Sequence, residues 1–183
     1  MHVHRFEKLW FGAALLLIVA FIATIVYGAA GPGVAMVSDD GGTIDADKVA
    51  NGNFNQTDNF RSPGVYRENG QVHVYIVARQ FLFNPGTSQA IEVPANEQVT
   101  FHVTSADVMH GFNLVGTNVN SMVIPGQVAT FSVTFDETGS YGIVCHEYCG
   151  SGHHTMAGKL TVVSQSQFEL APDADAVEAS GGS

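Results

Sequence analysis

The chain has 183 residues, of which only 13% are charged, and Lys and Arg number 7 against 17 Asp and Glu. The resulting formal net charge of −10 excludes nucleic acid as an expected partner, because an acidic surface repels the phosphate backbone. A chain of this length is sufficient for one domain of ordinary size that buries its own core, with further segments outside it.

The first predicted element is a membrane-spanning helix within residues 1–30. The apolar run at residues 9–27 is long enough, at about 1.5 Å per helical residue, to cross the hydrocarbon layer of a bilayer. Arg5 and Lys8 precede the run and acidic residues follow it, so the positive-inside rule places the N-terminus in the cytoplasm. A signal peptide cleaved near Ala29 is the alternative, but signal peptides have apolar runs of only about 7–15 residues. We therefore predict a single-pass protein of the cell (plasma) membrane, with the rest of the chain on the extracytoplasmic side.

The remainder of the chain divides into three parts by composition. Residues 31–70 are rich in Gly, Asn, Asp and Ser and predict an irregular acidic tether, while residues 165–183 predict a disordered acidic tail. Residues 71–164 contain short β-branched segments separated by turn signals. Strands are predicted at residues 72–78, 98–104, 128–135, 141–145 and 159–163. Short strands at this spacing predict an all-β sandwich or barrel.

Sulfur and imidazole side chains concentrate after the fourth predicted strand. Cys145, Cys149, His153 and Met156 lie in one loop, and His110 lies upstream. Thiolate, imidazole and thioether together are the soft ligand set that selects copper. Without Cys145, the set matches a mononuclear blue-copper site, which has two His, one Cys and an axial Met. Two thiolates can instead bridge two copper ions, each with one imidazole, and this arrangement uses every soft ligand.

Three hypotheses therefore remain open from the residues alone. The first is a dinuclear copper electron-transfer site, and the second is a membrane-tethered mononuclear cupredoxin that carries electrons independently. The third is a non-redox module in which Cys145 and Cys149 form a disulfide, as is common outside the cytoplasm. Copper stoichiometry and colour distinguish the three hypotheses.

The spacing Cys-x-Glu-x-Cys-Gly-x-x-His-x-x-Met, with an upstream Asp-x-x-His, resembles the CuA motif of cytochrome c oxidase subunit II. The resemblance covers residues 71–163, and with its single anchor helix the chain is most similar to the B-family (ba-type) oxidases. It implies an all-β, cupredoxin-like Greek-key sandwich or barrel, tethered by one N-terminal transmembrane helix. The implied ligands are Cys145 and Cys149 as bridges, His110 and Met156 on one copper ion, and His153 and the main-chain oxygen of Glu147 on the other.

The resemblance also implies the function of a subunit of a proton-translocating cytochrome-c oxidase. Such a subunit receives electrons from a soluble donor, such as cytochrome c or a small blue-copper protein, and passes them to haem in subunit I. Subunit I then reduces O₂ to water and pumps protons. Glu147 departs from the ba-type pattern, which has Gln there, and in other branches such a Glu reaches a Mg²⁺ ion at the subunit I interface. Asp107 is expected to orient an imidazole ligand.

Overall fold

Two β-sheets form the body of the computed structural model, which describes residues 4–30, 36–38, 41–54 and 59–170. Two α-helices, α1 and α2, precede most of the strands. The elements in chain order are α1 (Arg5–Ala30), β1 (Met36–Ser38), α2 (Ala46–Ala50), β2 (Gly64–Glu68), β3 (Gln71–Arg79), β4 (Leu82–Asn84), β5 (Ile91–Pro94), β6 (Gln98–Ser105), β7 (His110–Leu114), β8 (Asn120–Val123), β9 (Ala129–Thr134), β10 (Gly139–Val144) and β11 (Ala157–Val163).

The strand order confirms the predicted all-β, cupredoxin-like fold. Among the described residues, the first sheet has the order β1-β9-β6-β3-β2 with β4 paired to β3, and the second has the order β5-β11-β10-β7-β8. The pairs β3–β6 and β5–β11 are parallel, and the other pairs are antiparallel. The five predicted strands correspond to β3, β6, β9, β10 and β11. The strands missed by the sequence are short, and their side chains follow no clear alternation.

The main core lies between the two sheets because alternate residues of each strand point inward. On β3 the buried inward residues are Val72, Val74, Ile76 and Ala78. Phe101 on β6 stacks on Phe131 of β9, with ring centroids 5.3 Å apart. Burying each such large apolar side chain contributes about 1.5–3 kcal/mol, so this layer supplies much of the stability of the domain.

The segment predicted as an irregular tether forms a second, smaller core on the outer face of the first sheet, so that prediction is wrong for its described part. Val49 of α2 and Phe60 are 0% and 2% exposed and pack against the outward residues Tyr75 and Val77. The Phe60 ring meets Tyr75 edge to face, with centroids 5.3 Å apart. Because the segment is mostly polar, its few apolar residues did not predict a core.

The β domain therefore extends beyond both ends of the predicted range, residues 71–164. Strand β2 lies within residues 31–70 and pairs in register with β3, so the β domain begins before residue 71. At the other end, Phe168 packs against the main core, so the predicted tail does not begin at residue 165. Residues 31–35, 39–40 and 55–58 of the predicted tether and 171–183 of the predicted tail lie outside the described residues.

Helix α1 contains the predicted anchor. Within the described residues it is the helix that is long and apolar enough to cross a membrane. Its large apolar side chains are exposed, Leu9, Leu16 and Phe21 each by about two thirds. A bilayer would cover such a surface, since backbone hydrogen bonds inside a helix leave no polar group unpaired in lipid.

Two histidines form a separate pair on the outer face of the first sheet. His73 Nδ1 lies 3.0 Å from His102 Nε2, and the His102 ring stacks on Tyr75 at 4.5 Å between centroids. Burial, and then the neighbouring His73, lower the pKa of His102 from 6.5 to about 4. His102 is therefore neutral in the folded protein at pH values where it is protonated in the unfolded chain.

Replacing Phe60 with Ala tests whether residues 41–54 and 59–62 belong to the domain. We expect Phe60→Ala to lower the free energy of unfolding by about 3 kcal/mol, the usual cost of truncating a buried aromatic side chain. The measurement is chemical denaturation of the copper-free protein. Asn53→Ala, an exposed position in the same segment, serves as the control and should change little. Equal stability of the two variants would contradict a packed segment.

The lowered pKa of His102 predicts that the free energy of unfolding depends on pH. Because the folded pKa lies below the unfolded one, stability is complete above about pH 6.5 and falls as pH decreases towards about 4. Between about pH 7 and about pH 4.5, the copper-free wild type should lose about 2 kcal/mol more than the His102→Gln variant. Urea denaturation at the two pH values measures the difference. Parallel losses in both proteins would show that His102 does not carry this pH dependence.

Candidate metal centre

One loop and one strand end place the sulfur and imidazole groups at the same end of the sandwich. The loop at residues 145–156, which we call the copper loop, joins β10 to β11, and its two ends are closed by a main-chain hydrogen bond from Cys145 N–H to Met156 O at 3.2 Å. A 3₁₀ turn at His153–Thr155 reverses the loop before β11 begins. His110 is the first residue of β7, which pairs with β10 through Val144 opposite Asn113. This pairing brings His110 beside the loop.

The side chains of the predicted site converge around the two cysteines. Cys145 Sγ lies 4.0 Å from Cys149 Sγ, 3.9 Å from His110 Nδ1 and 3.2 Å from Glu147 O. Cys149 Sγ lies 3.6 Å from His153 Nδ1. The same sulfur lies 3.6 Å from the thioether sulfur of the remaining predicted ligand, Met156.

All six predicted residues therefore occupy one compact site. Each thiol has its own imidazole neighbour, and each imidazole presents Nδ1 to its sulfur. A metal ion bound at about 2.3 Å from each thiolate, a usual metal–sulfur distance, fits between two sulfurs this far apart. The donor set of the site is soft throughout, which suits copper. His110, Cys145 and Cys149 in particular bring their donor atoms within 4.8 Å of one another, close enough to share a metal ion.

The two cysteines are free thiols, and the Sγ–Sγ distance of 4.0 Å is about twice a disulfide bond. Both are buried, at 8% and 4% exposure. Burial, and then the neighbouring Cys145, raise the pKa of the Cys149 thiol above its ordinary value. Cys149 is therefore protonated in the metal-free protein at neutral pH. Metal binding must release a proton there, because the thiolate is the ligand form.

The predicted hydrogen bond between Asp107 and an imidazole is present. Asp107 Oδ1 lies 2.8 Å from His110 Nε2, so His110 donates through Nε2–H and keeps Nδ1 unprotonated towards Cys145. Burial favours a higher pKa for Asp107, but its hydrogen bonds with His110 and with main-chain N–H groups outweigh burial and lower it. Asp107 therefore stays ionised and fixes both the tautomer and the orientation of the buried imidazole.

The turn between β3 and β4 forms one wall of the site. Phe81 packs against Gly152, where an added Cβ would clash with its ring, and lies close to Gly150. Gly150 also has φ of +132°, which disfavours other residues. Gln80 was missed, although its side-chain amide donates to Cys149 O. A polar residue in a turn has no sequence signal that distinguishes such a role.

Comparisons with known proteins agree with this site. A family model described as cytochrome c oxidase subunit II, periplasmic domain, matches residues 68–163. A cytochrome c oxidase subunit 2 of Thermus thermophilus is 35% identical over 163 residues, covering 86% of this chain and 91% of the relative. Another Thermus thermophilus cytochrome c oxidase subunit 2 is 45% identical over 92 residues, covering 50% of this chain and 66% of that relative.

A solved structure is also similar over most of the chain. It is a chain of a haem–copper terminal oxidase dimer determined by cryo-electron microscopy, with a TM-score of 0.55 and 33% sequence identity. The similarity covers 87% of this chain and 100% of that chain. The matched region therefore extends beyond the copper loop into the N-terminal part of the sequence.

Removing the carboxylate of Asp107 tests its role at the centre. We expect Asp107→Asn to weaken copper binding by about 10-fold, because an amide can no longer enforce the Nε2–H tautomer of His110. Competition with a copper chelator measures the affinity. Asp136→Asn removes the same charge at an exposed position and should bind as the wild type does. Equal affinities of the two variants would mean that Asp107 does not position His110.

Proposed function

Since this chain belongs to the cytochrome c oxidase subunit II family, and is thus a subunit of a haem–copper oxidoreductase complex, we propose that its loop holds a dinuclear, mixed-valence CuA centre. The Thermus relatives are consistent with the B-family resemblance of the sequence. The chain is anchored by the apolar helix α1, and its β domain is the periplasmic domain of the family. We place it in the plasma membrane as a single-pass protein.

The proposed ligand assignment is the one that the CuA motif implies. Cys145 and Cys149 would bridge both copper ions, since the two thiols face each other in one buried site. His110 and Met156 would complete one copper site, and His153 and the main-chain oxygen of Glu147 would complete the other. Support for the two-ion site comes mainly from the second cysteine, because a mononuclear centre would leave one buried thiol without a role.

The protein supplies rigidity and insulation to a one-electron centre. Copper would contribute the redox change, which two thiolate bridges allow both ions to share. His110 is 0% exposed, and Met156 is 3% exposed, so water is largely excluded from this side of the site. The β7–β10 pairing and the Cys145–Met156 main-chain bond hold the ligand positions before metal binds. A preorganised set of ligands needs little rearrangement on electron transfer.

The surface beside the loop is the proposed entry side for electrons. Tyr148, between the two cysteines, is 75% exposed, and Met109, directly before His110, is 42% exposed. Met122, opposite Gly111 across the β7–β8 pair, is 39% exposed. An apolar surface of this kind suits the transient docking of a soluble donor, such as cytochrome c or a blue-copper protein. Electrons then pass to haem in subunit I, where O₂ is reduced and protons are pumped.

The Mg²⁺ site expected at the subunit I interface stays a prediction. The contribution expected from this chain is the side-chain carboxylate of Glu147, which is partly exposed. The main-chain oxygen of the same residue faces Cys145 Sγ. Glu147 can therefore serve a copper ion through its main chain and leave its carboxylate for a neighbouring subunit.

Copper quantification with electron paramagnetic resonance on the purified full chain tests the dinuclear assignment. We expect two copper ions per chain, a purple colour, and hyperfine splitting from both copper nuclei because they share one unpaired electron. Cys145→Ser should abolish that pattern, since one oxygen cannot replace a bridging thiolate. His146→Asn provides a control beside the same cysteine, because this exposed histidine points to Ser121 O and not to a sulfur.

Other results would identify the competing hypotheses. One copper ion per chain with an intense blue colour would favour a mononuclear cupredoxin. Protein without copper uptake and without titratable thiols would favour a disulfide-containing module. Either result would overturn the proposed CuA centre while leaving the family assignment in place.

A further inference from the structure

Gln80 lies where the first sheet meets the copper-binding end of the second. It follows β3 directly, in the turn that leads to β4, whereas the proposed ligands belong to β7 and to the β10–β11 loop. The residue is exposed overall, so its position does not reflect burial of an apolar surface. Its hydrogen-bonding groups nevertheless point towards the site.

Two groups of Gln80 reach two different parts of the centre. The side-chain amide donates to the main-chain oxygen of Cys149, 69 residues further along the chain. The main-chain N–H of Gln80 donates to Asp107 Oδ2 at 2.8 Å. Asp107 in turn binds His110 through its other oxygen. Gln80 is thus connected to the proposed bridging ligand Cys149 and, through Asp107, to the imidazole of His110.

The neighbours of Gln80 hold the turn in place. Arg79 donates through Nη2 to Val49 O and Ala50 O, at 3.1 and 2.9 Å, at the end of helix α2. On the other side, Phe81 fills the space above the glycines of the copper loop. Gly150 is also what allows the amide of Gln80 to approach, because a Cβ there would lie 2.7 Å from Nε2.

From these contacts we propose that Gln80 is a positioning residue for the copper centre. Its amide restrains the Cys149–Gly150 peptide, and its main chain restrains Asp107 and, through it, His110. The same turn thereby fixes both parts of the ligand set, His110 of β7 and the ligands of the β10–β11 loop, which are remote in sequence. The inference deepens the proposed function and rests on it for the copper readouts, but the restraint on the loop is a property of the metal-free protein.

Amide hydrogen exchange of the copper loop, measured on the copper-free full chain, tests this restraint without copper. In Gln80→Leu, the amides of His153, Thr155 and Met156 should exchange hydrogen about five-fold faster, as expected for losing one hydrogen bond. Gln80→Glu keeps the shape of the side chain, but its ionised carboxylate cannot donate to Cys149 O, so it should show the same increase. Gln71→Leu, at the exposed start of the same strand, is the matched control.

Copper-loaded protein provides the second readout. Gln80→Leu should release copper to a chelator about 10-fold faster than Gln71→Leu and should change the copper hyperfine pattern, because the second layer of contacts orients the ligands. If the loop amides of both Gln80 variants exchange hydrogen as slowly as those of Gln71→Leu, the inference is wrong. If the wild type binds fewer than two copper ions, the proposed function fails, while the exchange measurements still decide the role of Gln80.

Discussion

The site depends on the approach of two segments that are remote in sequence. His110 and Cys145 are 35 residues apart, yet Nδ1 and Sγ lie 3.9 Å from each other. The β7–β10 pairing provides this approach, because a shift of one residue would turn the His110 side chain to the opposite face of the sheet. The pairing of these strands therefore determines whether His110 and Cys145 can contact the same metal ion.

Burial of the same site determines which hydrogen-bond partners its polar groups require. The thiols and His110 lie within the main core, next to the apolar residues that stabilise the fold. Removing these groups from water is costly unless each polar atom has a partner. The Asp107 carboxylate is the partner of His110, while the Cys149 thiol remains protonated until a metal takes the place of its proton. Stability and metal affinity are consequently linked, and a change in the core is expected to affect both.

The layer formed by residues 41–54 and 59–62 extends this dependence to the N-terminal segment. Its small core covers the outer face of β3, and the carbonyl groups at the end of α2 accept hydrogen bonds from Arg79. Arg79 directly precedes Gln80, which contacts the copper loop. Residues 41–54 and 59–62 are thus part of the structure that supports the site, and a fragment beginning at residue 71 would lack that support.

The sequence by itself determined the cluster of soft metal-binding side chains, the all-β fold and the anchor helix, because each has a strong local signal. Spaced Cys, His and Met residues specify soft-metal chemistry, β-branched alternation specifies strands, and an unbroken apolar run specifies a membrane span. Only the tertiary structure decided that residues 41–54 and 59–62 pack on the sheet, that Phe81 covers the loop, and that Gln80 binds Cys149 O. These contacts join residues far apart in the chain, and a single polar or aromatic residue gives no local indication of its distant partner.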